Sequence, residues 1–225
     1  MQIKSIYIGG ILMSEQISAN NKELGQKAVA ALEKNRFHAA FYDTAQEAVE
    51  QIISMIPSDA TVGIAGSWTV QQLKLVELLE ERGNTIFCHH KPGLTPEEVL
   101  ETRRKQLTCD VFLTSTNAII ADGRLVNTDG TGNRVAAMIF GPKKVIVIAG
   151  TNKIVESIEE AEERIRITAA PLNNKRLNRP NPCVNTGHCM DCQGPTRLCN
   201  VTTVLHKRPP VSDIHVLVVG EELGY

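Results

Sequence analysis

Four of the six cysteines, Cys183, Cys189, Cys192 and Cys199, fall within one stretch, PCVNTGHCMDCQGPTRLC, near the C-terminus. Thiolates are soft ligands suited to iron-sulfur clusters or zinc, and a Cys-x2-Cys pair lets two sulfurs converge on one metal centre. Gly187 and Gly194 allow the backbone to turn tightly around such a centre. Four cysteines complete either site. Unliganded thiols or a regulatory disulfide are the plainer alternative, at odds with how rarely loops concentrate thiols in a reducing compartment. Between Pro171 and Arg208 the cations Lys175, Arg176, Arg179, Arg197, Lys207 and Arg208 face the single acid Asp191. Surrounding cations stabilise an anionic four-thiolate cluster. On zinc, the same arrangement would read as a knuckle for nucleic acid; solvated loop side chains are the competing account of the charges.

A second group is Val62-Gly63-Ile64-Ala65-Gly66-Ser67-Trp68-Thr69, where a strand runs into a helix. Gly66 lets the backbone approach a ligand, and the hydroxyls of Ser67 and Thr69 can hold a phosphate or carboxylate. A strand-to-helix turn also wants Gly and a Ser or Thr cap for structural reasons alone. A third group is Asp129-Gly130-Thr131-Gly132-Asn133-Arg134, with Asn117 upstream. The third glycine of a dinucleotide fingerprint is missing, so Gly130 and Gly132 do not argue for that cofactor. Asp129, Asn133 and Arg134 instead offer acid, amide and guanidinium groups to one anionic ligand. Finally, Gly150-Thr151-Asn152-Lys153 follows an apolar strand, placing Asn152 and Lys153 at the carboxyl edge where ligands of open α/β sheets bind. No catalytic residue is assigned.

Other candidates are weaker. His89 and His90 follow Cys88 in a strand, which would send adjacent side chains to opposite faces. Cys109 reads as a small buried hydrophobe. Arg103-Arg104-Lys105 ends a helix, where cations favour the dipole. Trp68 is a stacking surface or a core residue.

The elements that must position these residues alternate. A helix over Asn20 to Arg36 leads to a strand at Ala39 to Tyr42. Thr44 and Glu47 form a capping box for a helix with Ala48, Ile52, Ile53 and Ile56 on its buried stripe, and Pro57 stops it. Strands at Thr61 to Ile64, Thr85 to Cys88, Asp110 to Thr114 and Lys144 to Ala149 are separated by helices, one carrying Leu73, Val76, Leu78 and Leu79 after a loop at Ala65 to Thr69 and one opened by Thr95-Pro96-Glu97-Glu98. Short extended segments lie at Ala118 to Ala121 and Arg124 to Asn127, followed by helices at Asn133 to Phe140 and Ile154 to Thr168. This pattern predicts an α/β fold with a mostly parallel sheet covered by helices on both faces. Residues 171–199, rich in Pro and Asn, read as an irregular metal-binding excursion, after which Val201 to Leu205 and Ile214 to Val219 rejoin the sheet.

The chain has 225 residues, a formal net charge of −1, and 42% hydrophobic and 22% charged residues. That excludes a disordered chain and a globally basic nucleic-acid binder, so nucleic acid is not an expected partner. The longest apolar runs, such as Val145 to Ala149 and Val216 to Val219, are too short to span a bilayer, and a cytoplasmic protein is the expectation. Residues 1–12 are read as an extension, because Gly9-Gly10 ahead of Met13 can be encoded as a ribosome-binding sequence. A short strand, Ile3 to Ile8, is the other reading, and residues 13–225 form a single domain.

The runs DGTGNRVAAMIFGPKKVIVIAGTNKIV, APLNNKRL and PCVNTGHCMDCQGPTRLC resemble the LUD domain family, the former DUF162, named for lactate utilisation. The resemblance covers Glu23 to Val219 and is to the stand-alone, single-domain type with C-terminal cysteines. It implies a fold similar to that of ribose-5-phosphate isomerase, glucosamine-6-phosphate deaminase and the CoA transferases. It also implies an anion site at Gly66, Ser67 and Thr69, with Asp129, Asn133, Arg134 and Lys153 in the same cleft. The catalytic glutamate of a CoA transferase and the acidic loop of the isomerase are not identifiable, so neither activity follows.

Members of this family act in an iron-sulfur complex that oxidises L-lactate to pyruvate, although this chain lacks the ferredoxin-like cysteine repeats of the cluster-bearing subunit. The expectation is therefore a redox-linked component of L-lactate or organic-acid metabolism. It would carry an iron-sulfur cluster, [4Fe-4S] in preference to zinc, and bind a small anionic metabolite, with redox partner proteins and homo-oligomers as further partners. The alternative is a sugar-phosphate or acyl-CoA enzyme of the same fold with a structural zinc.

Overall fold

A computed structural model describes residues 3–225, with side chains from Gln16 onward. In chain order the elements are α1 (Ile3–Lys34), β1 (His38–Tyr42), α2 (Ala45–Met55), β2 (Thr61–Ile64), α3 (Trp68–Gln72), α4 (Leu75–Glu81), β3 (Thr85–Cys88) and α5 (Pro96–Gln106). They continue with β4 (Val111–Thr114), β5 (Ala118–Ile120), β6 (Leu125–Asp129), α6 (Asn133–Ile139), β7 (Lys144–Gly150), β8 (Ile154–Val155), α7 (Ile158–Arg164) and α8 (Ala170–Arg176). A single turn, α9 (Cys183–Thr186), precedes β9 (Val201–Leu205) and β10 (Ile214–Val219).

Six strands form a fully parallel sheet in the order β1-β10-β7-β4-β2-β3. Both faces are covered, and alternation along β7 shows why its run is continuously apolar. Ile146 and Ile148 join the core under α2, α3 and α4, whereas Val145, Val147 and Ala149 join the core shared with α1 and α6. A second sheet, β8-β5-β6-β9, packs Ile119 and Leu125 against that latter core and Ala118, Ile120 and Val126 against Ala161 and Ile165 on and beyond α7.

Both capping boxes form: Thr44 with Glu47, and Thr95 with Glu98. Several expectations are corrected. The helix expected over Ile154 to Thr168 begins at Ile158, because Ile154 and Val155 pair with Ile119 and Ile120 and Ser157 caps the helix instead. It then runs through a wide π turn, Ile165–Ala169, into α8, so the excursion expected from Pro171 opens as a helix. Pro171 sits just past the π turn, at the junction where the helical hydrogen-bond pattern changes. Val201–Leu205 pairs with β6 in the second sheet; only Ile214–Val219 rejoins the parallel one. The helix after β2 starts at Trp68 and breaks at Lys74, whose φ is 51°. The backbone over Ile3–Lys34 is helical, against the short-strand reading of Ile3 to Ile8. The reading of residues 1–12 as an extension lies outside the residues with described side chains. Among the described residues, no helix is long and apolar enough to cross a membrane.

Candidate functional site

Loops following β2, β3, β4 and β7 meet at the carboxyl edge of the parallel sheet and wall a cleft of about 280 Å³. Side chains from the end of β6, from the π turn and α8, and from Leu198 and Cys199 complete it. Of the residues proposed from sequence, Gly66, Ser67, Thr69, Asn117, Asp129, Gly130, Asn133, Arg134 and Lys153 line this cleft. Gly132 and Asn152 do not. Gly132 takes a φ of 85° to open α6, and the Asn152 carboxamide binds the backbone of Leu223 and Gly224.

Lys153 lies on the cleft floor, 2% exposed. Its Nζ donates to Thr69 Oγ1 at 3.0 Å and Ser115 Oγ at 2.9 Å, and no carboxylate pairs with it among the described residues. Burial, reinforced by the positive charges of Arg164 and Arg134, lowers its pKa from 10.5 to about 7. The unfolded chain therefore binds this proton more tightly, and the cost to folding is full below pH 7 and vanishes above 10.5. Lys153→Met should accordingly be most stable relative to the wild type near pH 6. That advantage should shrink above pH 7 by up to about 1.4 kcal/mol per pH unit. Urea unfolding at pH 6, 7.5 and 9 measures the slope; a difference independent of pH would mean the amine keeps its ordinary basicity.

Arg134 is held by four acceptors. Its Nε donates to Asp129 Oδ1 at 2.7 Å, its Nη2 to Asn117 Oδ1 at 2.9 Å and the Thr128 carbonyl at 2.8 Å, and its Nη1 to the Ser115 carbonyl at 3.4 Å. The other Asp129 oxygen accepts the Val135 N–H at 3.0 Å. Asp129 and Arg134, expected to serve a ligand side by side, are thus paired with each other. Asn133 reaches Gln106 Oε1 at 3.4 Å, and the buried Gln106 amide in turn bridges the Ile64 and Phe87 carbonyls and His89 Nδ1.

His89 and His90 correct the expectation of opposite faces. The strand ends at Cys88, and the following turn brings both rings to the cleft wall with centroids 4.2 Å apart. Burial is the main cause that lowers each pKa to about 4; His90 and Arg103 add to it for His89, and Arg176, Arg103 and Arg179 for His90. Both imidazoles are neutral at pH 7. Gly66, at a φ of 65°, packs directly over His90, so a Cβ there would strike the ring.

Arg103 and Arg179 also line the cleft, and Arg103 Nε is buried without a partner. Burial and the Arg179 charge both disfavour the Arg103 cation. Asp129 is the single carboxylate of the lining, and it is committed to Arg134. The cleft thus presents net positive charge and an unused donor. Sequence alone does not single out Ser115, and it assigns Arg103 to a helix end, Arg179 to the cysteine segment and the histidines to opposite faces of a strand. The only sequence hint of Ser115 is the hydroxyl run Thr114-Ser115-Thr116 at the end of a strand. Trp68 is half-exposed, stacked against Tyr225 and under the Arg176 guanidinium.

Cys183, Cys189, Cys192 and Cys199 surround a separate small cavity of about 20 Å³. Asn181 and Arg197 organise the segment. Asn181 binds Asn174 Oδ1, the Thr196 carbonyl and the Thr196 hydroxyl, while Arg197 binds Asp191 and the Cys192 and Cys199 carbonyls. Gly187, at a φ of 74°, closes the turn after Cys183. All six cysteines are free thiols. Burial raises the pKa of Cys199 to about 11, with Cys189 adding to it and Arg197 opposing; burial and then Cys192 raise that of Cys183. Cys109, buried in the core, is likewise pushed up to about 11 by burial. Among the described residues, the group of three ligating side chains with donor atoms all within 4.8 Å is His38, Asp213 and His215, at the opposite edge of β1 and β10. No three of the cysteine sulfurs are that close.

A family model described as the LUD domain matches residues 25–219. A solved structure of a DUF162 family protein from Deinococcus radiodurans is similar, with 15% identity, 88% of this chain and 98% of that chain covered, and a TM-score of 0.48. No curated protein matches the chain.

Proposed function

Because the chain belongs to the LUD domain family, we propose that it is a redox-linked component of L-lactate or related organic-acid metabolism. In this reading the cationic cleft binds a small carboxylate beside an iron-sulfur cluster held by Cys183, Cys189, Cys192 and Cys199. The observation that carries it is a shared wall: Leu198 and Cys199 line both the cleft and the cysteine cavity.

The donor set fits a cluster better than zinc. Thiolates tetrahedral about one zinc ion at 2.3 Å lie about 3.8 Å apart, closer than any three of these sulfurs. A [4Fe-4S] cubane attaches its thiolates to separate irons and accepts the wider frame. When bound, such a cluster supplies one-electron transfer. The protein's own groups do the rest. Arg103 and Arg179 supply charge for a carboxylate, the Arg134–Asp129 pair shapes the wall, the neutral histidines supply hydrogen-bonding nitrogens, and Lys153 with Ser115 and Thr69 supplies exchangeable protons. Met190, between two of the cysteines, is exposed, which leaves this segment open to a redox partner protein.

Anaerobic purification, or reconstitution with iron and sulfide, should yield a brown protein with broad visible absorption and stoichiometric iron and sulfide. L-lactate or pyruvate should raise its melting temperature. A colourless protein with stoichiometric zinc would overturn the cluster. Melting shifts with sugar phosphates or CoA but not with either acid would replace the organic-acid reading by that of a sugar-phosphate or acyl-CoA enzyme.

A further inference from the structure

We propose that Lys153 is a carbonyl-capturing nucleophile whose Nζ forms an imine with a 2-oxo acid bound in the cleft. The inference rests on the reading of the cleft as an anion site and goes beyond it, from holding an acid to a covalent step on it. A lysine that serves only as an anion ligand is most useful charged. Lys153 is instead placed where its charge is disfavoured. It is 2% exposed, no carboxylate pairs with it among the described residues, and Arg164 and Arg134 are its charged neighbours. Its two hydrogen-bond partners are the neutral hydroxyls of Thr69 and Ser115. Burial beside like charges is the arrangement that keeps an amine neutral and nucleophilic near pH 7.

The cleft supplies what the substrate class requires. Arginines, including the unpartnered Arg103 Nε, meet the carboxylate, and the adjacent carbonyl is left for the amine. The Nζ lone pair adds to the carbonyl carbon, and the carbonyl oxygen takes up a proton to give a carbinolamine. That proton comes from the amine, and loss of the one proton left on nitrogen together with the hydroxyl, as one water, leaves a C=N bond. No oxidant or reductant is consumed. Thr69 Oγ1 and Ser115 Oγ lie 3.3 Å apart, each within 3.0 Å of Nζ, so the hydroxyls can pass the protons between nitrogen and oxygen.

The test is borohydride trapping with pyruvate on the intact protein, followed by mass spectrometry and peptide mapping, with pyruvate-dependent melting measured alongside. The expected product is one adduct per chain, on Lys153, heavier by the mass of pyruvic acid less one oxygen atom. With a pKa of about 7, the neutral fraction and hence the trapping rate should rise about tenfold from pH 6 to pH 8. Lys153→Met, nearly isosteric and checked by circular dichroism, should lose the adduct; mapping of the wild type stands even if this variant does not fold. A pyruvate melting shift without an adduct at Lys153 would overturn the imine and leave the cleft reading intact. Adducts scattered over exposed lysines, and unchanged in Lys153→Met, would also overturn it. Neither shift nor adduct would remove both readings.

Discussion

Arg134→Met is expected to lower the unfolding free energy by about 3–5 kcal/mol, the cost of stranding one member of a buried ion pair. Its partner Asp129 is only 9% exposed at the side chain and would keep one oxygen on the Val135 N–H with no cation to neutralise it. The damage should spread. Arg134 also joins Asn117 to Thr128, binding the loop after β4 to the end of β6, and so holds two walls of the cleft together. Urea unfolding measures the loss, and the double variant Asp129→Asn/Arg134→Met should be less destabilised than the sum of the single variants, since it removes the stranded charge. The melting shift with pyruvate should vanish in Arg134→Met. If stability falls by less than 1 kcal/mol or so, the pair behaves as an exposed one, and its role in shaping the cleft is wrong.

Cys192→Ser is expected to remove nearly all bound iron and visible absorption while the fold persists. Loss of a direct thiolate ligand should exceed the ~10–100-fold drop in metal affinity that follows loss of an outer partner. The Cys192 side chain lines the cysteine cavity and not the cleft, and the contact from Arg197 to this residue is to its backbone carbonyl, which serine retains. The pyruvate melting shift should therefore survive in Cys192→Ser, separating cluster loss from anion binding. Cys88→Ala, away from the cavity, is the control that should keep its iron. Wild-type iron in Cys192→Ser would show that the four-cysteine segment does not hold the cluster.

How much was legible differed by residue. The capping boxes at Thr44 and Thr95, the apolar run of β7 and the cysteine spacing declare themselves through neighbours a few residues apart. Alternation puts His89 and His90 on opposite faces only if the strand continues, and it ends at Cys88. Local patterning misplaces both ends of the helix before the cysteines. Ile154-Val155 has the same apolar character in a helix as in an edge strand, and only its pairing with Ile119 and Ile120 decides between them. Asp129 and Arg134 both line the cleft, but their mutual pairing depends on rotamers that spacing does not specify.

The amino-acid sequence by itself determined the parallel α/β class, the start and stop of most elements, and the presence of four thiols in one segment. These follow from period-2 and period-3.6 patterning and from caps, which act over a few residues. Only the tertiary structure decided that Lys153 meets Thr69 and Ser115, respectively 84 and 38 positions away, without a compensating carboxylate. It likewise decided that Cys199 stands in the wall of the same cleft. Both depend on the strand order β10-β7-β4-β2 and on crossovers that carry successive loops to one edge. That order is selected by burying both faces of the sheet at once, a long-range packing condition with no signature in local spacing.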